Sequence, residues 1–397
     1  MRIGLDARTL TLPRPRGTGR NLLDAYRLIP ELRPEWEFVL YHQRPPTAVS
    51  GDEVMPWDAP NVRLRRVDIP GDRFDAWFQV RLPLAARQDH VDLLHCPANA
   101  APAWCPAPLV VTIHDLVPLR VPDELPARET TAFRRGIERA IRRALHIITP
   151  SEATRRALHE MFGVLPKFVS VVPWAADTGI AAALEQPLSP ERQNVIRSTY
   201  GLGPNWLVTF AGSTRRKNAR GVLEGLSHVR ADLRRDVQVI LVGCEPQRYR
   251  DELTTDAERL GIVDHVRILD FVPLADLPAL LRGSCGLLMP SRCEGFGLPI
   301  LDAFACGVPV LTSDRSSMPE VAGEAAVYCD PDDSRSIGTG IEQLLDPAAA
   351  NRLVNAGKER LSQFTWENTA QAMCAVYEQC LIQSGAARHN MVLEGCP

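Results

Sequence analysis

The chain has 397 residues, enough for two or three domains, and its 45% hydrophobic and 23% charged content is that of a water-soluble globular protein. A net charge of −3 excludes the basic footprint of a nucleic-acid binder. Ten widely spaced cysteines without a Cys-x-x-Cys pair speak against a zinc or redox motif and for reduced thiols. No apolar run approaches a membrane span, and Asp6 interrupts the first apolar run too early for a signal peptide. The expected setting is cytoplasmic, at the inner face of a membrane if a lipid is involved.

In chain order, the apolar runs RIGLDA, FVLYH, DLLHC, PLVVTIHD, HIITP and FVSVVP form a first series of strands. WLVTFAG, VQVILVG, VRILDFV, GLLMP, PVLTS and AAVYCD form a second. Continuous Val/Ile/Leu runs are those of parallel strands buried on both faces, and their alternation with helix-period segments predicts doubly wound α/β sheets. Residues 182–194 carry two prolines and no strand pattern, which predicts a linker there. The expected domains are 1–185, 186–364, and a C-terminal segment 365–397 whose helix packs back on the first domain before a flexible tail. Two such domains would face each other across a cleft and close about the linker, with ligand at the carboxyl ends of the strands.

Four segments carry chemistry. RGTGRN (16–21) holds Gly17 and Gly19, but Leu22 stands at the third glycine place, so it is a poor dinucleotide fingerprint. His114 ends the strand PLVVTIHD, and Asp115 beside it suits a turn cap. GSTRRKN (212–218) places Arg216 and Lys217 after a buried strand, in a chain where only three of 45 basic residues are lysines. SRCEGFGLPILDAFACG sets Glu294 and Asp302 eight residues apart around a glycine turn and a helix N-terminus, where unpaired amides favour phosphate. On spacing alone the two acids fit a ligand or a helix-end charge equally well. DPDD (330–333) contains an Asp-x-Asp that reads as a turn and N-cap, Ser317–Glu320 has capping-box spacing, and Trp77 and Phe78 fit either an acceptor site or the core. Arg135, Arg139 and Arg142 share one helical face, a solvated surface or a contact for anionic lipid.

The stretch from Ser291 to Gly323 resembles the donor-site segment of the family 4 glycosyltransferases, which have the GT-B fold. RGTGRN, TIHDLVPL, ITPSEATR, GSTRRKN and VRILDFVPLADLPAL resemble further segments of that family, so the likeness spans the chain. It implies a retaining, metal-independent transferase with no cofactor beyond a nucleotide-diphospho-sugar and with a glycan or lipid-linked acceptor. The segments look most like bacterial mannosyltransferases of surface polysaccharide assembly, implying GDP-mannose as the first donor, with UDP-glucose and UDP-N-acetylglucosamine as open alternatives. Glu294 matches the acid on the donor sugar. The amides of Phe296, Gly297 and Leu298 match those at the sugar and distal phosphate, and Asp302 matches the ribose acid, shorter than the usual Glu. Lys217 and Arg216 match the diphosphate cations, and Ser213 stands where some relatives have an arginine. His114 matches the histidine at the donor sugar. Gly17 and Gly19 match the loop that passes the diphosphate, and Phe271 and Val272 the segment beside the base. A sugar-nucleotide epimerase on the same fold and a non-catalytic sugar-nucleotide-binding protein remain alternatives.

Overall fold

The computed structural model describes residues 1–10, 17–43, 55–68, 76–121, 124–184 and 187–384. Arg16 of the RGTGRN segment and the tail 385–397 lie outside the described residues. The chain falls into two compact units, one of Met1–Trp174 with the chain from Thr365, the other Ala175–Phe364.

The first unit holds strands β1 (Arg2–Asp6), β2 (Glu37–His42), β3 (Val62–Arg66), β4 (Leu93–Cys96), β5 (Leu109–Thr112), β6 (His146–Thr149) and β7 (Val169–Val171). Their order across the sheet is β3-β2-β1-β4-β5-β6-β7, with every pair parallel. The second unit holds β8 (Asn205–Thr209), β9 (Val237–Val242), β10 (Val266–Leu269), β11 (Gly286–Met289), β12 (Val310–Ser313) and β13 (Ala326–Cys329). These order as β10-β9-β8-β11-β12-β13, again parallel. Both sheets are doubly wound and reverse direction next to their first strand, between β1 and β4 and between β8 and β11, where loops diverge and leave room for a ligand.

Every apolar run singled out in the sequence is a strand; β3, with the sequence VRLRR, is an addition. It is an edge strand whose arginines mask its periodicity: Arg63 donates to Asp89 at 2.7 Å, and Arg65 also pairs with Asp89. The domain boundary expected at 185 lies instead at Trp174–Ala175. Helix Thr178–Ala183, with Asp177 accepting the N–H of Gly179 at 2.7 Å as its N-cap, packs on helices Leu277–Arg282 and Leu298–Ala305 of the second unit. Helix Pro190–Tyr200 follows in the same unit, so residues 182–194 are not the linker. Two prolines there start or precede helices instead of breaking structure, since proline suits a first helical turn.

Helix Trp366–Gln383, N-capped by Thr365, belongs to the first unit and packs on helix Thr18–Leu32. It inserts Tyr377 into a buried polar chain. The Tyr377 hydroxyl lies 2.8 Å from the Tyr26 hydroxyl and 2.9 Å from His95 Nδ1, and His95 Nε2 lies 2.8 Å from Thr112 Oγ1. Trp77 and Phe78 are core residues: Trp77 Nε1 donates to the Val67 carbonyl at 2.6 Å, and the Arg8 guanidinium lies over both rings. Nine cysteines among the described residues are free thiols, and burial pushes those of Cys244, Cys306, Cys329 and Cys380 up to about 12.

Burial, with a smaller contribution from neighbouring His114, drives His95 down to about 3. Burial likewise drives His146, whose Nε2 bonds Ser170, down to about 4. Both folded values lie below the ordinary 6.5, so the folded state resists protons that the unfolded chain accepts. Stability is therefore complete above pH 6.5 and falls as pH drops from 6.5 toward 4 and 3, each unit of separation representing about 1.4 kcal/mol. Urea melts at pH 7.5, 6 and 5 should show this slope, and His95→Gln should flatten it; parallel slopes for the two proteins would sink the assignment.

Candidate functional site

In the second unit the site is built at the reversal point, from the loops that leave β8 and β11. The β8 loop turns through Gly212, whose φ of +55° is a left-handed conformation that glycine adopts without cost. A Cβ at Gly212 would stand 3.5 Å from Lys217 Cδ and 3.6 Å from its Nζ, so the lysine side chain folds back over the glycine. Gly212 N–H donates to the Val242 carbonyl at 3.2 Å, which ties this loop to the end of β9. The turn Arg215–Lys217 ends on Asn218, also left-handed at φ 62°. Asn218 is buried, and its Nδ2 donates to the carbonyls of Pro331 at 2.7 Å and Pro290 at 3.2 Å. It thus pins the lysine loop to the exit of β11.

The β11 loop carries Glu294. Its carboxylate pairs with Arg216 through Oε2 and accepts the Ser291 hydroxyl through Oε1 at 3.0 Å. Its carbonyl accepts the hydroxyls of Ser316 at 2.6 Å and Ser317 at 3.0 Å. The Ser317 side chain is therefore turned to Glu294 and does not cap helix Met318–Ala322, which corrects the capping-box reading. The loops are also joined through backbone, since Arg292 N–H donates to the Arg216 carbonyl at 2.8 Å and Arg216 Nη1 to the Cys293 carbonyl at 3.2 Å. Arg216, expected on a diphosphate, is in this structure the cation that orients Glu294. The side chains are about one-sixth and one-eighth exposed, at 18% and 12%, so the pair is poorly screened.

Helix Leu298–Ala305 follows, with Pro299 in its first turn and Gly307 past its end at φ +67°. Gly297, at φ +124°, turns the chain into it, a conformation closed to other residues. The backbone N–H groups of Phe296, Gly297 and Leu298 stand at this N-terminus, where intrahelical partners are absent by geometry. Phe296 is buried edge-on against Phe364 at 6.0 Å. Asp302 lies one turn in, where its Oδ1 accepts the Asp177 N–H at 3.0 Å, so this acid is already a structural acceptor. Phe271 and Val272 follow β10 at the sheet edge: Phe271 is 42% exposed and Val272 buried. The Phe271 N–H is engaged by Asp270 at 2.7 Å.

The first unit holds His114, Gly17 and Gly19. Gly17 is exposed, has φ +50° and precedes helix Thr18–Leu32; Gly19 is buried in its first turn. His114 stands two residues beyond β5. Its Nε2 lies 2.6 Å from the Pro97 carbonyl, which can only accept, so Nε2 carries the proton. Burial holds the ring below its ordinary value despite that bond, and the ring is neutral at pH 7. The His114 N–H donates to Asn99 Oδ1 at 2.7 Å, its carbonyl accepts the Thr154 hydroxyl at 3.2 Å, and its ring stacks on Trp174 at 5.9 Å. Asp115 accepts the Val117 N–H at 3.0 Å, the turn cap expected of it.

Sequence reasoning missed Asn218, Ser291, Ser316, Asn99 and Trp174, which orient the site without belonging to its motif's acids and bases. An Asn directly after the cationic run, a residue type that tolerates a left-handed backbone, was the one readable signal. The carboxylates of the Asp-x-Asp are engaged: Asp330 by Arg315 at 2.7 Å, and Asp332 by Arg315 at 2.6 Å and Arg292 at 2.8 Å. Asp333 caps helix Ser334–Leu345. Among the described residues no cluster of His, Cys, Asp or Glu is arranged to hold a metal.

With this geometry in place, the comparisons with known proteins become specific. The Glycosyltransferase Family 4 profile matches residues 24–179, and the profile Glycosyl transferases group 1 matches 194–360. The chain is 30% identical over 275 residues to the O-antigen chain mannosyltransferase B of Escherichia coli, covering 68% of this chain and 70% of the relative. It is 30% identical over 294 residues to a D-inositol 3-phosphate glycosyltransferase of Jonesia denitrificans, covering 70% and 68%. Among solved structures it resembles a sucrose-phosphate synthase of Thermosynechococcus elongatus, with TM-score 0.70 and 18% identity over 96% of this chain and 99% of that one. HepE of Anabaena in complex with UDP-glucose matches with TM-score 0.70 and 18% identity, over 95% and 99%.

Asn218→Ala should destabilise the second unit, because each buried carbonyl left bare costs about 1–3 kcal/mol. Asn218→Gly, which keeps the left-handed backbone but not the bonds, should not restore it. Urea denaturation would measure both; a full recovery in the glycine variant would show that the backbone, not the amide, is what Asn218 supplies.

Proposed function

The chain belongs to the glycosyltransferases of family 4 and group 1, and from that premise we propose that it transfers mannose from GDP-mannose, with retention of configuration and without a metal, to a glycan or lipid-linked acceptor. The observation that carries this reading is the pairing of a fixed carboxylate, Glu294, with a lysine-covered glycine loop at the reversal point of the second sheet. The mannose assignment draws on two relatives named as mannosyltransferases. Glucose is the competing sugar, since a relative is named a 2-deoxystreptamine glucosyltransferase.

In this reading the diphosphate lies on the amides of Phe296, Gly297 and Leu298, with Lys217 as its counter-charge. The bond between the anomeric carbon and the phosphate oxygen lengthens, and negative charge accumulates on the leaving diphosphate. A flexible point charge over the loop stabilises that state more than the ground state. The acceptor oxygen attacks from the face the diphosphate leaves, and its proton passes to a phosphate oxygen. Glu294 holds a sugar hydroxyl, in a fixed direction because Arg216 and Ser291 hold its two oxygens. Asp302 contacts the ribose while serving Asp177, Phe271 and Val272 flank the base, and Gly17 and Gly19 give the backbone access to the diphosphate. His114, with its proton committed to Pro97, contacts the sugar as a neutral ring. No step is assigned to a metal, and both acids of the Asp-x-Asp are paired with arginine.

We also assign to helix Ala127–Arg143 a contact with an anionic membrane surface, from a cytoplasmic position. Arg128, Arg135 and Arg142 are exposed opposite its buried Ile137, Ala140 and Ile141 and carry no ion pair among the described residues, while Arg139, expected on the same face, is half-buried. This would bring the enzyme to a lipid-linked acceptor.

A thermal-shift and transfer panel of GDP-, UDP- and ADP-sugars in EDTA tests the donor. GDP-mannose at a hundredfold excess over its Kd should add about 2.7 kcal/mol of stability, and turnover should persist in EDTA. Stabilisation by UDP-glucose alone, or loss of turnover reversed by magnesium, would refute the corresponding part.

Lys217→Ala should lower kcat by about one to two decades while changing donor KM far less, because its contact strengthens as the bond breaks. A rise in KM with kcat unchanged would make Lys217 a ground-state binder.

A further inference from the structure

The first unit contains an aromatic and hydrogen-bonded frame that no catalytic motif accounts for. It converges on His114 from the opposite end of the chain. We propose that Trp174 is a positioning residue for His114, and that Trp366 of the last helix holds Trp174 in that role. The inference rests on the reading of His114 as a residue that contacts the transferred sugar.

Three hydrogen bonds hold His114 before Trp174 is considered, two on its backbone and one on its ring. Its backbone is held at both polar groups, by Asn99 Oδ1 on the N–H at 2.7 Å and by Thr154 Oγ1 on the carbonyl at 3.2 Å. Its Nε2 edge is tied to Pro97 at 2.6 Å, at the end of the neighbouring strand β4. A single hydrogen bond at one edge fixes a tautomer but leaves the ring free to rock about that bond. Trp174 limits that motion: its ring lies 5.9 Å from the imidazole at an interplanar angle of 24° and covers one face.

Trp174 is itself backed. Trp366 packs against it at 6.2 Å and 40°. One turn along the same helix, Thr369 Oγ1 donates to the carbonyl of Pro173, the residue before Trp174, at 2.6 Å. Both the indole and the backbone that carries it are therefore fastened to helix Trp366–Gln383. Farther along, Tyr377 bonds His95 at 2.9 Å, and His95 bonds Thr112, two residues before His114, at 2.8 Å. The last helix thus reaches the histidine by two routes, a ring stack and a hydrogen-bonded floor beneath the strand. All of these side chains lie in the first unit. The remaining edge of the ring, Nδ1, is the lone-pair nitrogen, and its direction is set by the plane that Trp174 maintains.

The test combines kinetics with a spectroscopic measure of the ring. Trp174→Leu removes the plane but keeps bulk, Trp174→Phe keeps a smaller plane, and Trp366→Leu withdraws only the backing. Thermal melts establish which variants are folded; Trp366→Leu, one contact removed, carries the test if Trp174→Leu does not fold. Trp174→Leu should lower kcat about tenfold to a hundredfold, the scale of a small misplacement of a reacting group, with donor KM changing by no more than about threefold. Trp366→Leu should lose less, and Trp174→Phe should recover most of the loss. Placed on His114→Ala, Trp174→Leu should cost nothing further, because both substitutions disable one unit. Nitrogen NMR of His114 should show one neutral tautomer with the proton on Nε2 in both proteins, because the Pro97 bond remains, and ring relaxation should show larger-amplitude motion of the imidazole in Trp174→Leu than in the wild-type protein. A folded Trp174→Leu enzyme with wild-type kcat beside an impaired His114→Ala enzyme overturns the proposal, as does a loss that adds in full to that of His114→Ala. If His114→Ala keeps its kcat, the assignment of His114 fails instead, and the NMR result alone decides positioning: unchanged ring relaxation in Trp174→Leu overturns it, and added ring motion upholds it.

Discussion

The ion pair between Glu294 and Arg216 is the interaction on which the second unit's site depends. The two residues leave adjacent strands, β8 and β11, at the point where the sheet's winding reverses, and loops at such a point diverge unless something joins them. Here the joining is done by charge, by the Arg292–Arg216 backbone bond and by the Asn218 amide. Setting two ions in a poorly hydrated place costs much of what their attraction returns. The pair is thus better understood as a device of direction than of stability. It leaves Glu294 with one oxygen on Arg216, one on Ser291, and a backbone carbonyl on two serine hydroxyls. A carboxylate held in this way needs little reorganisation when a hydroxyl arrives, the condition under which an electrostatic contact contributes most to a reaction.

The same economy governs the cations. Two neighbouring basic residues, Arg216 and Lys217, divide their work by chemistry: the planar guanidinium takes the fixed carboxylate, while the flexible ammonium lies over Gly212. Gly212 and Gly297 serve this division from the backbone, one by making room beneath the lysine and the other by turning the chain into the helix whose amides face outward. Elsewhere the arginines are mostly tied to carboxylates, as around Asp89 and along the Asp330–Asp332 turn. Against that background Arg128, Arg135 and Arg142 on helix Ala127–Arg143, exposed and without an ion pair among the described residues, stand out as charge presented to solvent.

In the first unit, order is supplied by parts of the chain far apart in sequence. Helix Trp366–Gln383 begins 270 residues beyond the end of β4, the strand it packs on, yet it contributes Tyr377 to the buried chain of hydroxyls and imidazole and Trp366 to the stack behind Trp174. The residues Pro97 and Asn99, from the loop after β4, and Thr154 approach His114 from two other segments. The neutral ring that results comes from burial and from a carbonyl partner, neither of which is written in the local motif TIHD.

What the sequence by itself determined were the features with a short repeat or a local chemical signature. Twelve strands were legible because parallel strands buried on both faces are continuous apolar runs, and β3 was not, because an edge strand made of arginines has no such run. The glycine turns, the Pro299 helix start, the Thr365 cap and the Asp115 turn were legible because each is decided within a few residues. Tertiary structure alone decided where the units divide, since Asp177 and the helix it caps are claimed by Asp302 across 125 residues of chain. It alone decided that Arg216 serves Glu294, that Ser317 serves Glu294 and not its own helix, and that Trp77 and Phe78 are core. The reason is physical: periodicity and turn chemistry are properties of neighbours along the chain, whereas the partner of a charge, a hydroxyl or a ring is whichever group the folded sheet brings within reach.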